Sequence, residues 1–354
     1  MKLAMKRFTL LAALVLFCFG LSYGQTELSR LQSFLQQPSE DAGETNAQKL
    51  GITDLNNPAT MAGVVWNGYN VTAINWKDKK LAGELNLSGF QYLQNVNISK
   101  NKITALDIHG CPILVNLDAS RNKLATLNIS ACPNLLSLDC ERNALSTLNV
   151  SDSTKLKTIN CSDNEFAALD VRNLPDLVTL NCQDTRLQDL RIEGCSKLKN
   201  LYCGYNKLTG LMLVGTDDLQ FINCIGNNID NLVISGAPSL QTLMCGGNNM
   251  SNLGILNCPS FVDLECSGNQ LASLNMSGTM NLIRINCSWN RLTQLDLSNR
   301  TMLQRVICNQ NQIQMLDLTF CPNLTYLNCS DNRITDMRLQ GDQNLRVFVC
   351  GGQY

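Results

Sequence analysis

Residues 135–155 read LLSLDCERNALSTLNVSDSTK, and residues 324–344 read LTYLNCSDNRITDMRLQGDQN. The two align without a gap: positions 1, 4, 6, 11, 14 and 16 are apolar in both, and position 9 is Asn. Cut every 21 residues from Leu93, the chain gives blocks beginning at 93, 114, 135, 156, 177, 198, 219, 240, 261, 282, 303 and 324. A partial block runs from Leu345 to Tyr354, and a 22-residue variant, 71–92, leads in with Trp76 where later blocks have Cys. Position 9 is Asn in eleven of the twelve full blocks, Thr185 being the departure. A fixed period of this length marks a repeat architecture.

A unit of this size cannot bury six apolar side chains alone, but stacked neighbours can share one core. The alternation at positions 4 and 6 predicts a short strand around positions 3–7 with one face inward. Positions 14 and 16 repeat the alternation on the other side of the coil. The expected fold is therefore a solenoid of mainly β coils, with negligible helix after residue 71. The position-9 Asn falls where the chain must turn, and its amide is placed to bond backbone of its own and the adjoining coil.

The phrase LxxLxCxxNxLxxLxLxxCxx resembles the bacterial 21-residue class of leucine-rich repeats. Within that class it is similar to internalin-J-like proteins, in which Cys replaces Leu and forms a ladder. The matching residues are Cys140, Cys161, Cys182, Cys203, Cys224, Cys245, Cys266, Cys287, Cys308, Cys329 and Cys350, with Ile98 and Ala119 in the first two full blocks. The resemblance implies a secreted or surface-attached bacterial protein used in adhesion or protein binding.

Seventeen cysteines in an exported chain would ordinarily suggest disulfides. Ladder thiols on parallel strands, however, stand near the strand spacing of about 4.8 Å, wider than a disulfide's Cβ separation. The spacing therefore predicts reduced, buried thiols. Five more cysteines occupy position 19: Cys111, Cys132, Cys195, Cys258 and Cys321.

Ahead of the repeats, residues 1–24 carry Lys2, Lys6 and Arg7, then an apolar run and a small-residue exit, the form of a secretory signal peptide. Cys18 also raises a lipoprotein reading, which Phe17 before it disfavours. Residues 25–70 are expected to form an N-terminal cap. They start with a short helix carrying Leu28, Leu31 and Leu35 and stopping at Pro38, with Trp66 and Trp76 as large packing residues of the cap and first coil. The repeat domain is 71–354, about 13 coils with the last incomplete. Its final turn leaves Val347, Phe348 and Val349 on an open edge, covered by a partner or by sequence beyond a truncation.

A formal charge of −1 gives no reason to expect a nucleic-acid partner. His109 is the sole histidine, so no relay or His-rich metal site can be built. No phosphate loop, nucleophile elbow or zinc helix is present, so neither catalysis nor a cofactor is expected. Asn-x-Ser triplets such as Asn97–Ser99 and Asn328–Ser330 arise from the repeat itself. No further apolar run is long enough to span a membrane.

Outward positions 3, 5, 7 and 8 are mostly Asn, Asp, Ser, Thr and Gly. Blocks 198–260 break that habit with Tyr202, Tyr205, Phe221, Ile225 and Met244, an apolar cluster of the kind protein-binding hot spots need. A second cluster is Arg284, Arg305, Tyr326 and Trp289. Three readings stay open: a binding module for another protein of host or bacterial surface, a carbohydrate binder stacking sugars on the same aromatics, and a structural spacer.

Overall fold

The computed structural model describes residues 26–353, so the export signal read at 1–24, with Cys18, lies outside the described residues. The described residues form two compact units, divided between Phe166 and Ala167, each containing a stack of the 21-residue coils. First strands are three residues long and occupy positions 3–5. Asn116–Asp118 and Ser137–Asp139 exemplify the first unit, and Asn200–Tyr202, Phe221–Asn223 and Thr242–Met244 the second. Neighbours pair in parallel and in register, Leu117 with Leu138 and Leu201 with Ile222, so position 4 always enters the core. No helix follows Thr60 among the described residues.

The strands stop earlier than the expected position 7 because position 8 is left-handed in all twelve full coils, with φ between 52° and 65°. That conformation turns the chain out of the strand, yet the ladder bonds continue through it. The N–H of Cys203 donates to the Asn223 carbonyl at 2.8 Å, and that of Tyr205 to the Ile225 carbonyl at 2.7 Å.

The position-9 Asn then satisfies what the turn leaves open. In Asn248, Nδ2 donates to the carbonyls of Cys224 and Cys245, each at 3.0 Å, and of Gly246 at 3.3 Å. Its Oδ1 accepts the Ile229 N–H at 3.0 Å. One buried amide thus joins two coils, and the pattern recurs at Asn122, Asn164 and Asn290. Thr185 keeps only part of it: its hydroxyl donates to the Cys182 carbonyl at 2.8 Å. The Asn-x-Ser triplets have a parallel role, since Asn97 Oδ1 accepts both the N–H and the hydroxyl of Ser99, at 3.0 and 2.7 Å.

The second side of the coils is less regular than the alternation at 14 and 16 suggests. Strands form there at Thr126–Asn128, Ala168–Asp170 and Asn231–Ser235, but none forms in the coils 135–155, 198–218 and 261–281. Position 19 supplies a physical reason in the last two. In regular coils Cys132, Cys195 and Cys321 donate their Sγ–H to the position-16 carbonyl of the preceding coil, each at 3.2 Å. Thr216 and Thr279 instead donate to Leu213 and Met276 of their own coil, at 2.8 and 2.7 Å. A short hydroxyl bonded locally competes with the ladder. In 135–155, Ser153 makes a different bond, to the Cys132 carbonyl at 3.1 Å.

At the start of the first unit, residues 26–35 are helical and bury Leu31, Phe34 and Leu35. Phe34 stacks on the fully buried Trp76 with ring centroids 5.5 Å apart. The Trp76 indole N–H donates to the Ala62 carbonyl at 2.8 Å. Asn46 Nδ2 donates to the carbonyls of Phe34 and Ala82, tying the helix to the first coil. Trp66, by contrast, is only half-buried.

Glu27 adds a pH-dependent element. Its Oε2 accepts the Val71 N–H at 2.7 Å, while Oε1 is buried without a partner. Burial raises its pKa from 4.5 to about 7, the bond to Val71 and the charge of Arg30 opposing. The folded chain therefore holds this proton more tightly than the unfolded chain, and Glu27's contribution to stability declines as pH rises from 4.5 through 7. Glu27→Gln, which mimics the protonated form, should match wild type in thermal melts near pH 4. By pH 8 it should be more stable, by on the order of 2 kcal/mol. An equal offset at both pH values would refute this assignment.

Candidate functional site

Because strand side chains alternate, the inward register of Leu201, Cys203, Ile222 and Cys224 turns their neighbours outward. Tyr202, Phe221, Ile225 and Met244 are half-buried, and Tyr205 is 58 % exposed. Phe221 is the cross-strand partner of Asn200, and Met244 that of Asn223. The Tyr202 and Phe221 rings meet across two coils with centroids 5.0 Å apart and planes tilted by 38°. That tilted geometry is a favoured aromatic arrangement, and the pair forms a fixed apolar centre on the first-strand face.

Tyr205 and Trp289 both occupy the left-handed position 8, with φ of 55° and 56°. A large side chain there costs roughly 1 kcal/mol relative to glycine. Between the two, position 8 is Gly226, Gly247 and Gly268. The Tyr205 ring lies over Gly226, where a Cβ would stand 2.9 Å from its Cδ1. Trp289 is 63 % exposed.

In the second cluster the cations have intramolecular partners. Arg284 pairs with Asp263 at 2.7 Å, and the Arg305 guanidinium stands 3.8 Å over the Tyr326 ring.

The coil 198–218 also carries a feature that the repeat pattern does not announce. Where its second strand is missing, Met212, Val214 and the neighbouring Val233 are exposed. A cavity of about 290 Å³ opens beside them, lined by Leu213, Val214, Leu219, Ile222, Ile234 and Leu240. Thr216 at position 19, in place of Cys, was the available signal.

The ladder thiols are inert in this setting. Fifteen of the sixteen cysteines among the described residues are buried and none is disulfide-bonded, Cys350 being the exposed one. Burial raises Cys224 and Cys287 to about 12, and Cys140, Cys203 and Cys245 well above the usual thiol range. The reactive thiolate is therefore suppressed. His109 Nδ1 lies 2.8 Å from Asp107 Oδ1 on the surface. Among the described residues, no group of three or more His, Cys, Asp or Glu side chains is arranged to hold a metal ion. No helix there is long and apolar enough to cross a membrane.

No protein-family model and no curated protein matches the sequence. Solved structures do match the fold. The functional domain of InlJ from Listeria monocytogenes, which includes a cysteine ladder, is 22 % identical at a TM-score of 0.50, over 75 % of this chain and 68 % of that one. YopM, a leucine-rich effector protein of Yersinia pestis, is 18 % identical at a TM-score of 0.59, over 94 % of this chain and 99 % of that one. The plant peptide hormone receptor RGFR1, solved in complex with RGF2, is 17 % identical at a TM-score of 0.53. That match covers 79 % of this chain and 58 % of the receptor, less than two thirds of its length. In fold, the chain is a leucine-rich-repeat solenoid of 21-residue coils with a cysteine ladder similar to that of InlJ.

Proposed function

We propose that this chain is an exported bacterial binding protein that holds another protein on the first-strand face of coils 198–260. The Tyr202–Phe221 pair carries the reading. Two half-buried aromatic rings held against each other, on a face whose neighbouring coils are mostly polar at the outward strand positions, supply a preformed apolar anchor. Ile225 and Met244 extend it, and Asn200, Asn223 and Asp263 form a polar rim. Export rests on the pattern of residues 1–24, and residues 25–70 serve as the cap of the stack. The receptor match, solved with a peptide hormone, supports a protein ligand for such a face. The role is binding rather than catalysis.

Cross-linking capture from host and bacterial surface extracts, followed by affinity measurement on the captured protein, tests the reading. Tyr202→Ser with Phe221→Ser should leave the melting temperature unchanged and weaken binding by roughly 2 kcal/mol or more. Met212→Ser with Val214→Ser, apolar but on the other side of the coil, should leave affinity within a few-fold. So should Asn95→Ser with Asn116→Ser on the first coils. Loss in the Met212 and Val214 variant alone would move the site to the cavity. A glycan array positive for wild type and negative for the Tyr202 and Phe221 variant would replace the protein ligand with a carbohydrate.

A further inference from the structure

Net charge near zero hides an uneven distribution. In the first unit, position 8 carries Lys100, Arg121 and Arg142 on successive coils, and position 10 carries Lys102 and Lys123. Lys77, Lys79 and Lys80 precede them on the lead-in coil. Backbone bonds establish the alignment. The Lys100 N–H donates to the Ser120 carbonyl at 2.9 Å, the Arg121 N–H to Glu141 at 2.7 Å, and the Lys123 N–H to Ile103 at 2.9 Å. At a strand spacing of about 4.8 Å, the eight cations form one continuous edge, two side chains wide.

The acids on this edge are Glu40, Asp41, Asp78, Glu141, Asp163 and Glu165. Glu40 pairs with Lys102, Asp41 with Lys80, Glu141 with Arg121 and Asp163 with Arg142. Lys77, Lys79, Lys100 and Lys123 are exposed and have no salt-bridge partner among the described residues. Of the remaining acids in coils 71–155, Asp118 and Asp139 sit at position 5 on the first strand, Glu84 and Asp107 lie in the strands Ala82–Asn86 and Lys102–Asp107 of the other side, and Asp152 is at position 18. Like charges are therefore segregated by position within the coil, and cations outnumber carboxylates where they line up.

We propose that this edge binds a linear acidic polysaccharide, with its sulfates or carboxylates running from coil to coil along the unpaired lysines. The cations are arranged in a line, at a repeat set by the coils, which suits a chain of regularly spaced anions. Nucleic-acid strands are held where cations alternate with aromatic stacking platforms. Positions 7–10 of these coils hold no aromatic residue. Membrane surfaces are bound by cations flanked by apolar anchors, and those positions offer none. The proposal is independent of the apolar face on coils 198–260.

Calorimetric titration of the full chain with heparin and with polygalacturonate tests it, across a series of salt concentrations. At least one of the two should bind at low salt and weaken steeply as salt rises, as screened charge pairing requires. Lys100→Glu with Lys123→Glu touches no ion pair. It should weaken that binding roughly tenfold or more, with an unchanged melting temperature and a shallower salt dependence. Lys199→Glu with Lys207→Glu makes the same change in net charge in the second unit and should leave affinity within about twofold. Binding of neither polysaccharide, equal losses in the two variants, or an unaffected Lys100 and Lys123 variant would overturn the proposal. So would tighter binding of oligo(dT) or of phosphatidylserine vesicles at the same salt, which would assign the edge to those partners instead.

Discussion

Asn248→Ala is expected to destabilise the chain by about 3 kcal/mol. The change removes no buried charge and little apolar surface. What it removes are the partners of the Cys224, Cys245 and Gly246 carbonyls and of the Ile229 N–H. Leaving such groups buried and unpaired costs roughly 1–3 kcal/mol apiece, partly recovered where water enters. Asn248→Asp should also be destabilising, because a carboxylate cannot donate to the three carbonyls and would carry a charge into a site 6 % exposed. Asn248→Thr should lose less, since Thr185 already serves in the equivalent place with its hydroxyl on the Cys182 carbonyl. Chemical denaturation of the three variants gives the ranking. If alanine proves no worse than threonine, the amide ladder is not what ties the coils together.

Thiol titration should give an almost all-or-none contrast. Native protein is expected to react quickly at Cys350 alone, while denatured, unreduced protein lacking residues 1–24 should yield all sixteen thiols. Desolvation holds buried sulfurs such as Cys140, Cys203, Cys224, Cys245 and Cys287 protonated, so raising the pH to 9 should not bring them into reaction in the native protein. Recovery of few thiols after denaturation would mean that the ladder is cross-linked. Replacing Cys224 with Ser should cost about 1–3 kcal/mol, because the hydroxyl must find a partner where the thiol is held by dispersion alone. A neutral outcome would show that the ladder position tolerates polarity.

Much of this molecule is legible in one dimension because each coil solves the same problem 21 residues after the last. Leu138 and Cys140 announce the inward face, and Asn143 announces the turn. Repetition makes those identities readable without knowledge of the rest of the chain. Tyr202, Tyr205, Phe221, Ile225 and Met244 were likewise visible as exceptions to outward positions that are otherwise small and polar. Their sharing of one face follows from strand alternation. The tilt and contact of Tyr202 and Phe221 do not, since they depend on the stagger between two coils.

Other features exist only in the folded chain. Tyr205 and Trp289 look like ordinary outward residues until the backbone shows position 8 to be left-handed, a property set by the bonds a coil makes to the following one. In coils 198–218 and 261–281 the missing second strand accompanies a position-19 threonine bonded within its own coil, a contact visible only in the fold. The basic edge is invisible to net charge and to any local window, because Lys100, Arg121 and Arg142 are each separated by a full coil containing acids. The sequence by itself determined the period, the inward residues and the amide ladder, which each coil settles with its immediate neighbours. Only the tertiary structure decided which surface residues stand together, because stacking brings side chains 21 residues apart to within a strand spacing and turns the intervening charges to other faces.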